Sequence, residues 1–206
     1  TYLATMVAEQ MLDIKAQTIS KDAYLAYDRL FADGQLTIGV HFGWDYHSNY
    51  HLKHSQEIYD WLTKSKGFKS PVASYGKLRF DSGPLKGSAT YHGKTIAVEI
   101  ALFWGIPGDA ATDPDTDAGG IQLENSMFES FRSREVIIFS GHSGPFYGFA
   151  LANWRKTEEG DLDDSDVLEM DLWKDHYQIT VAEGCDTYGL GEAFALNPQK
   201  PGLVDM

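Results

Sequence analysis

The chain has 206 residues, of which 43% are hydrophobic and 13% aromatic, a composition typical of one globular domain with a sizeable core. Its formal net charge is −13 and its basic residues form no run, so nucleic acid and anionic membranes are poor candidate partners. A single cysteine excludes an internal disulfide, and no apolar run approaches the roughly 20 residues that a membrane span needs. These totals leave a cytoplasmic and a secreted location equally open.

The first part of the chain predicts two helical regions separated by a strand. Apolar residues recur near a 3.6-residue period over residues 3–33, so we interpret residues 1–35 as an N-terminal helical segment. The apolar, β-branched run 36–42 predicts a strand, and the pattern over 51–66 predicts a helix. These elements open a domain that we place at 36–206.

The remainder of the chain predicts an α/β fold. Strand and turn signals dominate residues 68–120, which we interpret as a β-rich insertion with a hairpin turn at 89–94 and a long central strand at 95–103. Strands alternate with helices after this point, which favours a mostly parallel central sheet with helices on both faces and function at the carboxyl ends of its strands. The predicted elements are a helix at 121–134, strands at 136–139 and 177–182, and a short helix at 190–196.

Two predicted buried strands end in the same way, each with a reactive side chain. One reads Val136-Ile-Ile-Phe-Ser-Gly-His142, and the other reads Ile179-Thr-Val-Ala-Glu-Gly-Cys185. Neighbouring parallel strands lie about 4.8 Å apart, so the imidazole and the thiol could approach each other at adjacent strand ends. A histidine that accepts a thiol proton converts cysteine into a nucleophile. The pattern therefore predicts a catalytic dyad of His142 and Cys185, with a buried structural cysteine as the alternative.

These residues resemble the signature of the family that contains caspases, gingipains, clostripain and separase. That signature is an apolar strand ending in His-Gly, a spacer, and a second apolar strand ending in Cys. The segment Gly184-Cys185-Asp186-Thr187-Tyr-Gly-Leu-Gly is similar to the Ala-Cys-Asp-Thr-Gly-Leu-Gly ending of bacterial separase-like proteases. The distance along the chain from His142 to Cys185 is similar to the roughly 50 residues in caspases. The resemblance implies a caspase-like three-layer sandwich and a cysteine endopeptidase, although Ser143 stands where the family has glycine.

The resemblance also implies roles for neighbouring residues. The amides of Ser143 and Gly144, together with that of Cys185, would bind the oxyanion of the intermediate. In this family an acidic first pocket selects Arg or Lys, and Asp45 and Asp186 are the acids nearest the expected cleft, which favours a basic P1 residue. The substrate would be a peptide or protein. Proteolytic processing in this family makes a second chain from the same precursor a candidate partner.

An acidic loop predicts a calcium site. Asp113, Asp115, Asp117 and Glu124 occupy positions one, three, five and twelve of an EF-hand-like loop, although position six is Ala118 rather than glycine. Calcium would suit the family resemblance, since several of those proteases use it to order loops. The alternative is a solvated acidic turn that caps the following helix. A catalytically inactive calcium-binding or adhesion module is accordingly the first alternative to a peptidase.

A histidine-rich segment predicts a different metal site. His41, His47, His51 and His54 lie close together in the chain, and histidines three or four residues apart on a helix can bind zinc. A zinc hydrolase that uses this His41–His54 cluster is the second alternative. The competing interpretation is that the segment borders the substrate cleft without binding metal.

Overall fold

The computed structural model describes residues 24–143, 148–199 and 204–206. Most of the predicted N-terminal helical segment lies outside these residues, and its described part contains one short helix. Eight strands are present in the described residues: β1 (Gln35–Phe42), β2 (Leu85–Tyr91), β3 (Lys94–Trp104), β4 (Val136–Ser140), β5 (Phe149–Ala150), β6 (Asp161–Leu162), β7 (Gln178–Glu183) and β8 (Val204–Asp205).

Six of these strands form one sheet in the order β2-β3-β1-β4-β7-β8. All neighbours are parallel except β2, which pairs antiparallel with β3 at one edge. The five parallel strands have the order of a doubly wound sheet whose direction of winding reverses between β1 and β4. The predicted mostly parallel sheet is therefore confirmed, and β5 and β6 form a separate two-stranded ribbon.

Helices cover both faces of the sheet, as predicted. Within the described residues they are α1 (Tyr27–Leu30), α2 (Tyr50–Asp60, continued by a π turn over Trp61–Ser65), α3 (Asp117–Ser133), α4 (Asp164–Glu169) and α5 (Leu190–Leu196). Single 3₁₀ turns lie at Tyr75–Lys77 and Thr187–Gly189. No helix in the described part of the chain combines the length and the apolar character needed to cross a membrane.

Each face has its own apolar core, because successive residues of a strand point to opposite faces. On one face, Val40 and Phe42 of β1 pack with Tyr59 and Leu62 from the helical segment that begins with α2. On the other face, Phe139 of β4 packs against α3, α5 and the β5–β6 ribbon. The strand ends are therefore fixed by well-packed cores on both sides.

Two predicted boundaries differ from the structure. The predicted long central strand at 95–103 is confirmed as β3, an internal strand of the main sheet, so the segment 68–120 is not wholly an insertion. Residues 71–84 form turns and a 3₁₀ helix rather than strand. Helix α3 begins at Asp117 instead of 121, because the Thr116 hydroxyl caps it by accepting a hydrogen bond from the amide of Gly119 at 3.1 Å.

Candidate active site

Strand register aligns the three segments that form the site. Ser140 of β4 is the register partner of Glu183 of β7 and of Phe42 of β1. His142 and Cys185 each follow their strand by two residues, so the two side chains leave the sheet at matching positions. Asp45 follows β1 by three residues at the same edge, beside the point where the winding of the sheet reverses.

Glycines allow these three strand ends to lie unusually close together. A Cβ atom on Gly141 would lie 2.7 Å from the Cα atom of Gly43, and one on Gly184 would lie 3.1 Å from the carbonyl oxygen of Gly141. The Thr187 hydroxyl donates to the carbonyl oxygens of Ala182 and Gly184 and holds the turn that carries Cys185. Larger residues at the glycine positions would separate the histidine and cysteine segments.

The strand ends enclose a cleft of about 490 Å³, and both predicted catalytic residues line it. Cys185 is exposed, which excludes the alternative of a buried structural thiol. His142 is about one third exposed, with 30% of its side-chain surface accessible. The cleft is lined by Gly43, Asp45, Tyr50, His51, His54, Ser140, Gly141, His142, Glu183, Gly184 and Cys185.

Asp45 contacts His142 directly and is held by its own turn. Its Oδ1 atom lies 3.0 Å from Nε2 of His142 and 3.3 Å from Nδ1 of His47. Its Oδ2 atom accepts hydrogen bonds from the amides of His47, Ser48 and Tyr50. The side chain is only 10% exposed, so the carboxylate is fixed in position.

The environment of Asp45 keeps its carboxylate ionised. Burial alone would raise its pKa, but hydrogen bonds from the Ser48 amide, His142, the Tyr50 amide and His47 together hold the pKa well below its ordinary value. An ionised carboxylate only accepts hydrogen bonds, so Nε2 of His142 carries a proton in this contact. The neutral imidazole then has its lone pair on Nδ1, which is the arrangement that a base requires.

Of the two predicted specificity acids, Asp45 lines the cleft and Asp186 does not. Asp45 is buried against His142 and is not free to bind a substrate side chain. Asp186 lies outside the lining of the cleft and adopts a left-handed backbone conformation (φ 55°) before the 3₁₀ turn. The acidic lining residue that sequence reasoning missed is Glu183, which accepts a hydrogen bond from the Ser140 hydroxyl at 2.9 Å. The available signal was its position two residues before Cys185, which matches the position of Ser140 before His142.

The predicted oxyanion residues are described only in part. Ser143 is 7% exposed and follows His142 directly, whereas Gly144 lies outside the described residues. Within the described part of the chain, no acceptor binds the backbone amide of Cys185. That amide is therefore a candidate donor to an oxyanion.

The predicted zinc cluster is divided between two faces of the sheet. His41 is 1% exposed, its Nε2 atom lies 3.0 Å from the hydroxyl of Ser130 in α3, and its ring stacks on Phe103. Burial and then the charge of Arg134 lower the pKa of His41 to about 3, as expected for a core histidine. His51 and His54 instead belong to α2 and line the cleft. The four histidines therefore do not form one metal site.

His51 supports the turn that carries Asp45. Its Nδ1 atom accepts a hydrogen bond from the amide of Asp45 at 3.3 Å, and its side chain is buried. Burial lowers the pKa of His51 to about 4, although the charge of Asp45 opposes this change. The histidine thus acts as a neutral acceptor beside the cleft.

The predicted calcium ligands do not converge in the structure. Asp117 and Glu124 both belong to α3, so this part of the acidic segment cannot wrap around an ion as an EF-hand loop does. Asp115 binds Asn153 and Lys156, Asp117 accepts from the amide of Glu158, and Glu124 accepts from the amides of Gly160 and Asp161. Asp113 accepts from the amide of Asp115 in its own turn. Asp115, Asp117 and Glu124 thus connect this segment to residues 153–161, and calcium binding stays a prediction.

Aromatic rings surround the imidazole of His142. The ring of Tyr46 lies 4.6 Å from that of His142 and 4.0 Å from that of His47, measured between centroids. Trp44 and Trp154 flank Tyr46, and Trp154 also lies near His142. These rings restrict the orientation of the imidazole.

Comparisons of the chain with protein-family models, with curated proteins and with solved structures found no match. The chemistry of the site therefore follows from its own residues: a thiol, an imidazole and a buried carboxylate at one sheet edge.

Proposed function

We propose that this chain is a cysteine endopeptidase in which Cys185 is the nucleophile, His142 the base and Asp45 the residue that orients the base. The observation that carries the proposal is the shared register of the His142 and Cys185 segments at one cleft, with Asp45 bound to Nε2 of His142. The resemblance to caspase-like peptidases supports the same assignment and the same class of fold. In open α/β sheets, ligands bind at the carboxyl ends of the strands where the direction of winding reverses, and this cleft lies beside such a point.

The proposed reaction uses one proton carrier and two steps. Nδ1 of His142 accepts the thiol proton as Sγ of Cys185 attacks the carbonyl carbon of the scissile peptide bond. The carbon–nitrogen bond then breaks, the imidazolium returns its proton to the leaving amine, and a thioester remains on Cys185. Water attacks this thioester with His142 again as base, which releases the carboxylic acid product and restores the thiol.

Asp45 and backbone amides would stabilise the charges that develop in these steps. The ionised carboxylate favours the imidazolium that forms when His142 takes the proton, and it keeps the ring in the productive tautomer. The amides of Cys185 and Ser143 are the described candidates to bind the oxyanion. The carboxylates expected to bind calcium lie outside the lining of this cleft and form hydrogen bonds elsewhere.

The lining of the cleft favours a peptide with a basic P1 residue. Glu183 is exposed at the cleft, and no Lys or Arg is among the residues that line it. A second, more apolar groove of about 480 Å³ adjoins the first and shares His54, Ser140 and Glu183 with it. An extended peptide could therefore place one basic and one apolar side chain on either side of Ser140.

Hydrolysis of fluorogenic peptides tests the proposed function. A set that differs only at P1, with Arg, Lys, Leu or Asp, should show hydrolysis by the wild type that is lost in Cys185→Ala. Glu183→Gln should reduce the preference for Arg over Leu about tenfold without abolishing hydrolysis of the Leu peptide. Hydrolysis that persists in Cys185→Ala, or no hydrolysis of any peptide by a protein whose thiol is intact, would contradict the proposal.

A further inference from the structure

Three potential metal ligands converge on one side of the cleft. Asp45, His47 and His142 each offer one ligand atom, and these atoms all lie within 4.8 Å of one another. Oδ1 of Asp45 is 3.0 Å from Nε2 of His142 and 3.3 Å from Nδ1 of His47. Ligands about 2.0–2.1 Å from a tetrahedral zinc ion lie about 3.3 Å apart, so the two distances to Oδ1 of Asp45 are close to the spacing of zinc ligands.

The surroundings of these three residues are also compatible with a bound ion. Oδ2 of Asp45 is taken up by the amides of His47, Ser48 and Tyr50, which orients Oδ1 toward the two imidazoles. The ring of Tyr46 lies against both histidines. The side chain of His47 is 56% exposed, so an ion can enter from solvent.

We propose that Asp45, His47 and His142 bind a divalent transition metal ion, with zinc the best match, and that this ion switches off the peptidase. The inference rests on the proposed function of His142 as the base. Two histidines and one carboxylate are a common ligand set for zinc, and the fourth position would face water. This set shares only His47 with the histidine cluster expected from the sequence.

Inhibition follows from which nitrogen of His142 the ion would occupy. The metal-free imidazole has its proton on Nε2, facing Asp45, and its lone pair on Nδ1. An ion bound to Nε2 displaces that proton, and the neutral ring then carries its one proton on Nδ1. A protonated Nδ1 cannot accept the thiol proton of Cys185, so the metal-bound site has no base.

Zinc titration of the whole chain tests the metal site without relying on peptidase activity. Calorimetry in a Cys185→Ala background, after chelator treatment, prevents the thiol from contributing a ligand. Zinc should bind at one ion per chain, and His47→Gln should weaken binding about tenfold or more. His54→Gln is the matched control, because His54 lies in the same cleft but outside the ligand group, and it should bind zinc as tightly as the background protein. Equal affinities in the His47 and His54 variants, or no binding at all, would overturn the metal site.

Hydrolysis of the best fluorogenic peptide then tests the effect on the site. Each protein is compared with its own zinc-free rate: zinc should inhibit the wild type and the His54 variant, and His47→Gln should need about tenfold more zinc. Cys185-dependent hydrolysis that saturating zinc does not slow would overturn the inference and leave the peptidase proposal intact. Zinc binding without Cys185-dependent hydrolysis at any zinc level would overturn the proposed function instead. Hydrolysis that requires zinc and survives Cys185→Ala would overturn both.

Discussion

At the scale of single residues, Asp45 accepts five hydrogen bonds, three of them from backbone amides and two from imidazoles. Sequence reasoning assigned this aspartate to the specificity pocket, because its position after β1 indicates the right edge of the sheet but not its partner. That partner, His142, depends on the pairing of β1 with β4, which no local pattern reveals. The placement of His142 and Cys185 at one cleft could be predicted, since both strand ends carry the same Gly-plus-reactive-residue pattern.

Replacing Asp45 with asparagine should reverse the tautomer of His142. The three backbone amides require an oxygen in the position of Oδ2, so the asparagine nitrogen would face Nε2 and donate to it. The imidazole proton would then move to Nδ1, and we expect kcat/KM for peptide hydrolysis to fall about 100-fold. Loss of the charged acceptor should also lower the free energy of unfolding by about 1 kcal/mol.

Asp186→Asn is the matched control, because Asp186 lies outside the cleft lining, and its kcat/KM should stay within about twofold of the wild type. Circular dichroism at the assay temperature verifies that both variants are folded. An Asp45→Asn enzyme that retains nearly full activity would show that Asp45 does not orient the base.

At the scale of elements, the position of the site depends on the close approach of β1, β4 and β7 at their carboxyl ends. The strands and helices themselves were largely predictable, because hydrophobic periodicity is strong in β1, β3, β4 and β7. The start of α3 was not, since Gly119 and Gly120 indicated a loop. These glycines instead permit close packing, because a Cβ atom on Gly119 would overlap the carbonyl oxygen of Asp113. The acidic segment that predicts a calcium loop therefore also caps α3 and binds residues 156 and 158.

Gly141→Ala tests whether close approach of the strand ends matters. The added methyl group would meet backbone atoms of Gly43 at 2.7–3.0 Å, and backbone cannot move aside as a flexible side chain can. We expect a loss of about 1–3 kcal/mol in the free energy of unfolding, measured in urea, together with a lower kcat for peptide hydrolysis.

Gly189→Ala is the matched control for this substitution. Gly189 has a helical backbone conformation (φ −60°, ψ −27°), and a Cβ atom added there would have open space around it. Alanine there should leave activity unchanged and stabilise the protein by up to about 1 kcal/mol. If both variants behave alike, packing of the glycine segments does not position the site.

At the scale of the whole molecule, the reversal of winding between β1 and β4 brings distant parts of the chain to one cleft. Alternation of strands and helices predicted the class of fold, but the order of strands depends on long-range pairing that periodicity does not encode. For the same reason, histidines that are clustered in the sequence lie apart in the fold. His41 points into the core beneath α3, whereas His51 and His54 lie on the opposite face of the sheet. Adjacent positions in a strand face opposite ways, so closeness in sequence did not predict a shared site.

The buried His41 should make the whole fold sensitive to acid. Its pKa is about 3 in the folded state and about 6.5 when unfolded, so above pH 6.5 it is neutral in both states and the stability is fully present. As the pH falls from 6.5 toward 3, only the unfolded chain takes up the proton, and stability falls by about 1.4 kcal/mol per pH unit.

Urea unfolding at pH 7 and pH 5 measures this contribution. The wild type should lose about 2 kcal/mol more than His41→Gln between these two values. His92→Asn is the control, because His92 lies in the β2–β3 hairpin turn with a left-handed backbone (φ 47°) that asparagine tolerates. Equal pH dependence in the wild type and His41→Gln would show that His41 titrates normally in the folded protein.

The most direct measurement of the central claim is the rate at which iodoacetamide modifies Cys185 at pH 7. The chain has one cysteine, so intact mass reports this residue alone, and the thiol is exposed, so access does not limit the reaction. With a chelator present and folding of both proteins verified by thermal melting, the wild type should react about tenfold faster or more than His142→Ala, because the imidazole takes the thiol proton. Equal rates in the two proteins would contradict the account, since Cys185 would then have no catalytic partner in His142.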